Sequence, residues 1–212
     1  MAARVFLLSP ANCRGRRALQ VLSPKATFAV AARLRSQDGV PIGELFSHMS
    51  GLYFRGKLTY ARRFGRAFVI TPDQGLVPAE MPITRDVLVR YGGGDIHLEN
   101  PAYRSPLEAT ARSLADHAGA GAQFVLLGSV ASAKYVDVLG GIFGSRLVFP
   151  SDFVGRGDMS RGGLLLRAAD AGQELRYEPV LGAVRHGPRP AKLEPLIRPS
   201  SIVNRPTSAT DD

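Results

Sequence analysis

The sequence predicts a three-layer α/β/α domain with a mostly parallel central sheet, followed by a proline-rich tail. Three observations lead there. Short β-rich runs carry their apolar residues consecutively rather than alternately, as in a sheet covered on both faces. Segments of helical period separate those runs, the alternation expected of α/β layers. After Gly187 the periodicity stops while Pro188, Pro190, Pro195, Pro199 and Pro206 recur.

In chain order, strands are expected at Val5–Leu8, Ala67–Thr71 and Gln123–Leu127, with two more at Leu147–Phe149 and Arg176–Val180. Each of the first three ends in a polar turn marked by Gly or Pro. The segment Phe54–Phe64 sets Phe54, Leu58, Ala61 and Phe64 on one side of a helix and Arg55, Thr59, Arg62, Arg63 and Arg66 on the other. Arg104–Ala118 repeats the device with Leu107, Ala111, Leu114 and Ala118 inward and an outward Glu108, Arg112, Asp116 ladder. Shorter helices are expected at Ala26–Leu34, Ile42–Met49, Arg85–Tyr91 with Thr84 as N-cap, Lys134–Phe143 and Met159–Ala169. Residues 1–186 then form one domain, a size suited to a single core, and residues 187–212 form a disordered tail.

Composition narrows the function classes. Hydrophobic residues make up 45% and charged residues 21%, so the chain resembles an ordinary globular protein rather than a disordered or fibrous one. One cysteine, Cys13, excludes an internal disulfide, and the four histidines show no zinc-ligand spacing. No metal or other cofactor is expected. No apolar run approaches the roughly 20 residues that span a bilayer, and the N-terminus reads as a strand rather than a signal peptide, so a cytoplasmic protein without a membrane association is expected. The net charge of +9 is uneven: residues 1–70 hold 12 basic and two acidic side chains, whereas residues 71–145 hold five and eight. Such segregation creates a directed positive field that attracts polyanions, against the plainer reading of a solvated, arginine-rich surface.

Candidate chemistry lies in four turns that a parallel sheet would bring to its C-terminal edge, where ligands bind such folds. The first, Ser9 to Arg17, offers Asn12, Arg14 and Arg16 as phosphate ligands. Cys13 within it reads as a small apolar filler or, alternatively, as a thiol whose pKa the surrounding arginines lower. The second turn, Thr71 to Pro78, holds Asp73 as a candidate general base or as a holder of a ribose or base edge, with Gln74 beside it to read or activate the substrate, while both also make good turns. The third presents Ser129, Ser132 and Lys134. It lacks the second glycine and the hydroxyl residue of a Walker loop, since Ala133 and Tyr135 stand there, so only a weaker anion site is expected. The fourth, Phe149 to Gly163, carries Arg156, Asp158 and Arg161; Asp158 is a candidate catalytic carboxylate or an N-cap, and Gly162 and Gly163 suggest close approach by a backbone or ligand. His48 reads as a partly buried helix residue. Tyr53 and Phe54, beside Arg55 and Lys57, would stack bases if exposed, although core packing suits Phe54 better.

The succession Tyr53-Phe54, Tyr60-Ala61-Arg62, Phe68-Val69-Ile70-Thr71 and Gly75-Leu76-Val77-Pro78 resembles a group of small α/β domains that includes bacterial peroxide-stress-type proteins. It is distantly similar to the uracil-DNA-glycosylase-like domain of archaeosine synthases. The similar stretch covers about 30 residues. Where that group carries a Cys-Ser or Ser-x-x-Lys pattern after the first strand and a His before Gly-Leu, this chain has Ala11-Asn12-Cys13-Arg14 and Gln74. The resemblance implies a shared fold and a connection to nucleic acid.

Three function classes follow. The first is a binder of nucleotide or nucleic acid at the strand ends that modifies a base or glycosidic bond. The second is an interaction module that docks an acidic protein on Arg55, Arg62 and Arg66. The third is an enzyme acting on an anionic metabolite through the Gly155–Gly163 loop.

Overall fold

The computed structural model describes residues 3–130 and 132–193. Strands β1 (Arg4–Leu8), β3 (Arg66–Ile70), β6 (Gln123–Leu127) and β7 (Leu147–Pro150) run parallel. Two edge strands, β4 (Leu76–Pro78) and β8 (Tyr177–Pro179), pair antiparallel with β3 and β7, giving the order β4-β3-β1-β6-β7-β8. A separate two-stranded ribbon joins β2 (Val40–Pro41) to β5 (Pro82–Ile83).

Consecutive apolar residues in these strands serve two cores, as a doubly covered sheet requires. Phe6, Leu8, Val69, Val125, Leu127 and Val148 face α1 (Arg16–Leu22), α2 (Ala29–Arg35), α3 (Ile42–Ser50), α4 (Leu52–Phe64), α5 (Arg85–Gly93) and α8 (Asp158–Ala171). Val5, Leu7, Phe68, Ile70, Phe124, Leu126 and Phe149 face α6 (Pro101–Ala118) and α7 (Ala133–Phe143). The expected three-layer α/β/α architecture is therefore present.

Several expectations change in detail. Arg16 and Arg17, expected at the end of a polar loop, instead open a helix, Arg16–Leu22, that buries only Ala18 and Val21, too little for a periodic signal. Leu76–Pro78 returns as a strand because a tight turn folds it back on β3: Thr71 N–H and Oγ1 both donate to Gly75 O, and Gly75 sits at φ 68°. A Cβ there would lie 2.2 Å from Thr110 Oγ1, so both space and backbone call for glycine. Helix α6 starts three residues early, where Asn100 Oδ1 accepts from Ala102 N–H and Pro101 occupies the first turn. Arg66 belongs to β3 rather than to the α4 face. His48 is exposed, stacked on Phe28 at 5.1 Å.

The two glycines expected to permit close approach divide the work. Gly162 lies against the backbone of α4, where a Cβ would come within 2.9 Å of Leu52 O and Tyr53 Cα. Gly163 is near the Leu193 side chain. Of the tail, residues 187–193 run without helix or strand beside the Gly155 loop, and a Cβ on Gly155 would lie 2.0 Å from Pro188 O. Residues 194–212 lie outside the described residues.

Candidate functional site

Strand order locates the site. From β1 the chain leaves toward α1 on one face of the sheet, and from the adjacent β6 it leaves toward α7 on the other. Loops that diverge in this way open a crevice at the carboxyl ends of the two strands. Ser9 N–H donates to Leu127 O at 3.2 Å and holds the two strand ends together at its base. Beside it is a cavity of about 250 Å³ lined by Asn12, Cys13, Arg14, Tyr91, Asp95 and Lys134, among others.

Of the residues singled out in sequence, Asn12, Arg14 and Lys134 therefore meet in one concavity. Asn12 Oδ1 accepts from the Arg14 N–H at 2.9 Å, which sets the loop conformation and leaves the side-chain amide as donor. The Arg14 guanidinium donates to the carbonyls of Gly92, Gly93 and Gly94. It thus closes the C-terminus of α5 and fixes its charge at the crevice wall. Arg16 opens α1 and is exposed. Lys134 lies in the first turn of α7, its Nζ 5.2 Å from the centre of the Tyr135 ring. Ser129 is exposed after β6, and Ser132 caps α7 without a side-chain hydrogen bond.

The second turn stands apart. Asp73 Oδ2 accepts from Arg90 Nε at 2.5 Å while its Oδ1 is buried without a partner among the described residues. Gln74 Oε1 accepts from the Tyr91 hydroxyl. Both tie the β3–β4 turn to α5, and neither lines the crevice. The fourth turn forms a second, larger cavity of about 610 Å³ where α8 begins, lined by Arg156, Asp158, Ser160, Arg189 and Lys192. Arg156 donates to Asp152 O, Ser160 Oγ and Ala191 O. Gly157, not Asp158, is the N-cap of α8; Asp158 is the first helical residue, 3.9 Å from Arg161. Arg161 donates twice to Phe153 O and lies over the Phe153 ring.

Sequence reasoning missed the most unusual group in the molecule. Lys57 is 1% exposed, with Nζ 2.6 Å from Ser9 O and 2.9 Å from Ser9 Oγ. The rings of Tyr53 and Phe54 lie 4.5 and 4.7 Å from Nζ. Burial pushes the amine down to about 7, with Asp158 opposing and Arg161 reinforcing the shift. The signal was available: Lys57 falls three residues after Phe54 and one before Leu58, inside the apolar stripe of α4. Tyr53, 8% exposed, and Phe54, fully buried, are unavailable for stacking bases. The Tyr53 hydroxyl lies beside Arg161 and Asp158, and burial pushes its pKa up to about 12 against the opposing influence of Arg161.

The thiolate alternative for Cys13 loses its basis, because burial pushes the thiol up to about 12 and its Sγ faces Ala11 O. Among the described residues no cluster of His, Cys, Asp or Glu suits a metal ion, and no helix is long and apolar enough to cross a membrane. Comparison with protein-family models, curated proteins and solved structures gave no match.

Proposed function

We propose that the crevice beyond β1 and β6 binds a nucleotide or a segment of nucleic acid. The observation that carries this reading is the convergence of Asn12 and Arg14, from the loop after β1, and Lys134, from the first turn of α7, on one concavity at the switch point of the sheet. Arg14 is pre-positioned by three carbonyls, Lys134 stands at the N-terminal, electropositive end of an 11-residue helix, and Arg16, exposed in the first turn of α1, adds charge two residues on from Arg14. The basic surplus of residues 1–70 gives the field that would draw a polyanion toward them. Asp73 and Gln74 hold the turn beside α5 and take no part in the proposed contact.

A second reading rests on the larger cavity. Arg156, Arg189 and Lys192 suit a small phosphorylated or carboxylated metabolite beside the first turn of α8. Docking of an acidic protein on one basic helix face loses support, since Arg66 lies on β3 and Arg62 makes a two-pronged pair with Glu80.

The test is a fluorescence titration of the protein against labelled tRNA, single-stranded DNA and duplex DNA. For three neutralised phosphates, affinity should fall about 20- to 40-fold between about 50 and 200 mM salt. The Arg16→Ala/Lys134→Ala pair should lose the binding, and the Arg156→Ala/Lys192→Ala pair should retain it. Absence of salt-dependent binding, or equal binding by wild type and the first pair, would refute the crevice reading.

A further inference from the structure

We propose that Ser9 and Lys57 form a nucleophile and general-base pair that acts on an acyl carbon, an ester or amide, presented at the carboxyl end of β1. The geometry is the ground for this. Ser9 follows the last residue of the central strand β1 and is only partly buried, while Lys57 stands behind it, 1% exposed, with Nζ 2.9 Å from Ser9 Oγ. Gly128, at the end of β6, lies against Ser9; a Cβ there would come within 3.0 Å of Oγ. A residue with no side chain thus leaves room for the Ser9 hydroxyl, one residue before Pro10 at the edge of the crevice.

A purely structural role accounts for only half of the arrangement. The Ser9 carbonyl needs one donor, and a hydroxyl or water serves that need without bringing a charge into an apolar helix face. Lys57 has no ion pair with a carboxylate among the described residues. Asp158, the acidic group that acts on it, belongs to an exposed part of α8, and Arg161 on the same helix adds a like charge. The Tyr53 and Phe54 rings favour the ammonium form, but burial is the largest influence and leaves the amine titrating near neutrality. A neutral amine that donates to Ser9 O keeps a lone pair to accept the Ser9 Oγ proton. That is the disposition of a serine nucleophile with a lysine base.

The step balances without a further reactant except water. Ser9 Oγ bonds to the carbonyl carbon as the C=O π electrons move to oxygen, and its proton passes to Lys57 Nζ. Collapse breaks the bond to the leaving alkoxide or amine, which takes that proton. Water then attacks the acyl-serine and gives a proton to Lys57, which returns it to Ser9 Oγ as the carboxylic acid departs.

The inference shares a sheet edge with the nucleotide reading but does not depend on it, and the probe carries no nucleotide. Full-length protein is treated with a fluorophosphonate, and adducts are located by peptide mass spectrometry. Attack by Ser9 Oγ expels fluoride and leaves a phosphonyl-serine. Labelling of Ser9 is expected at a rate that rises through about pH 7 as Lys57 deprotonates. Ser9→Ala should remove the adduct, and Lys57→Met should slow it by at least about 100-fold. Lys57→Arg keeps a donor for Ser9 O without a usable base and should also fail. Should Lys57→Met not fold, the arginine variant and the wild-type pH profile decide the matter. No adduct on Ser9 between about pH 6 and 9, a flat pH profile, or equal labelling of Lys57→Arg would overturn the proposal.

Discussion

Lys57 shows at the residue scale how a single side chain sets a pH dependence. Its folded-state pKa, about 7, is below the unfolded value of 10.5, so the unfolded chain binds more protons between those limits. Stability against unfolding therefore rises with pH across that window, and the penalty is fully present below pH 7. Denaturant titrations of wild type and Lys57→Met should diverge accordingly, wild type gaining relative to the variant from pH 7 upward; parallel pH profiles would contradict the buried-amine account. Cys13, 9% exposed and with its thiol raised, should react with a maleimide or disulfide reagent far more slowly in the native than in the denatured protein. Fast native labelling at pH 8 would contradict that environment.

Elements account for most of what sequence reasoning could and could not reach. The four parallel strands were legible because their apolar runs serve two cores at once, and α4 because Phe54, Leu58 and Ala61 recur at helical spacing, whereas the two- and three-residue strands β2, β4 and β5 are too short to show a run. Helix α1 was not, since two buried residues in seven make no period. The crevice was legible in part: Asn12, Arg14 and Lys134 follow strands that any parallel sheet aligns. That Arg14 caps α5, some 80 residues away in sequence, depends on tertiary placement that no local pattern records. Lys57 was concealed by its type, because a lysine near arginines reads as part of a charged face until its position in the apolar stripe is counted. The α4–α8 crossing is close enough that a Cβ on Gly56 would lie 2.6 Å from Gly162 O. Gly56→Ala must push two backbones apart and should cost about 1–3 kcal/mol, read as a lowered Tm. An unchanged Tm would mean that the helices cross less closely.

Over the whole molecule, charge and topology point to the same edge. The basic first third of the chain supplies β1 and its loop, and the divergence of the β1 and β6 connections leaves a crevice there lined by Asn12, Arg14 and Lys134. The most direct test of this account maps amide chemical shifts of isotope-labelled protein during titration with a short single-stranded oligonucleotide at low salt. Shifts concentrated at residues 11–16, 128–130 and 133–135 are predicted, reversed as salt is added. Shifts centred instead on the exposed Arg55 and Arg62 face of α4, or none at saturating ligand, would contradict it.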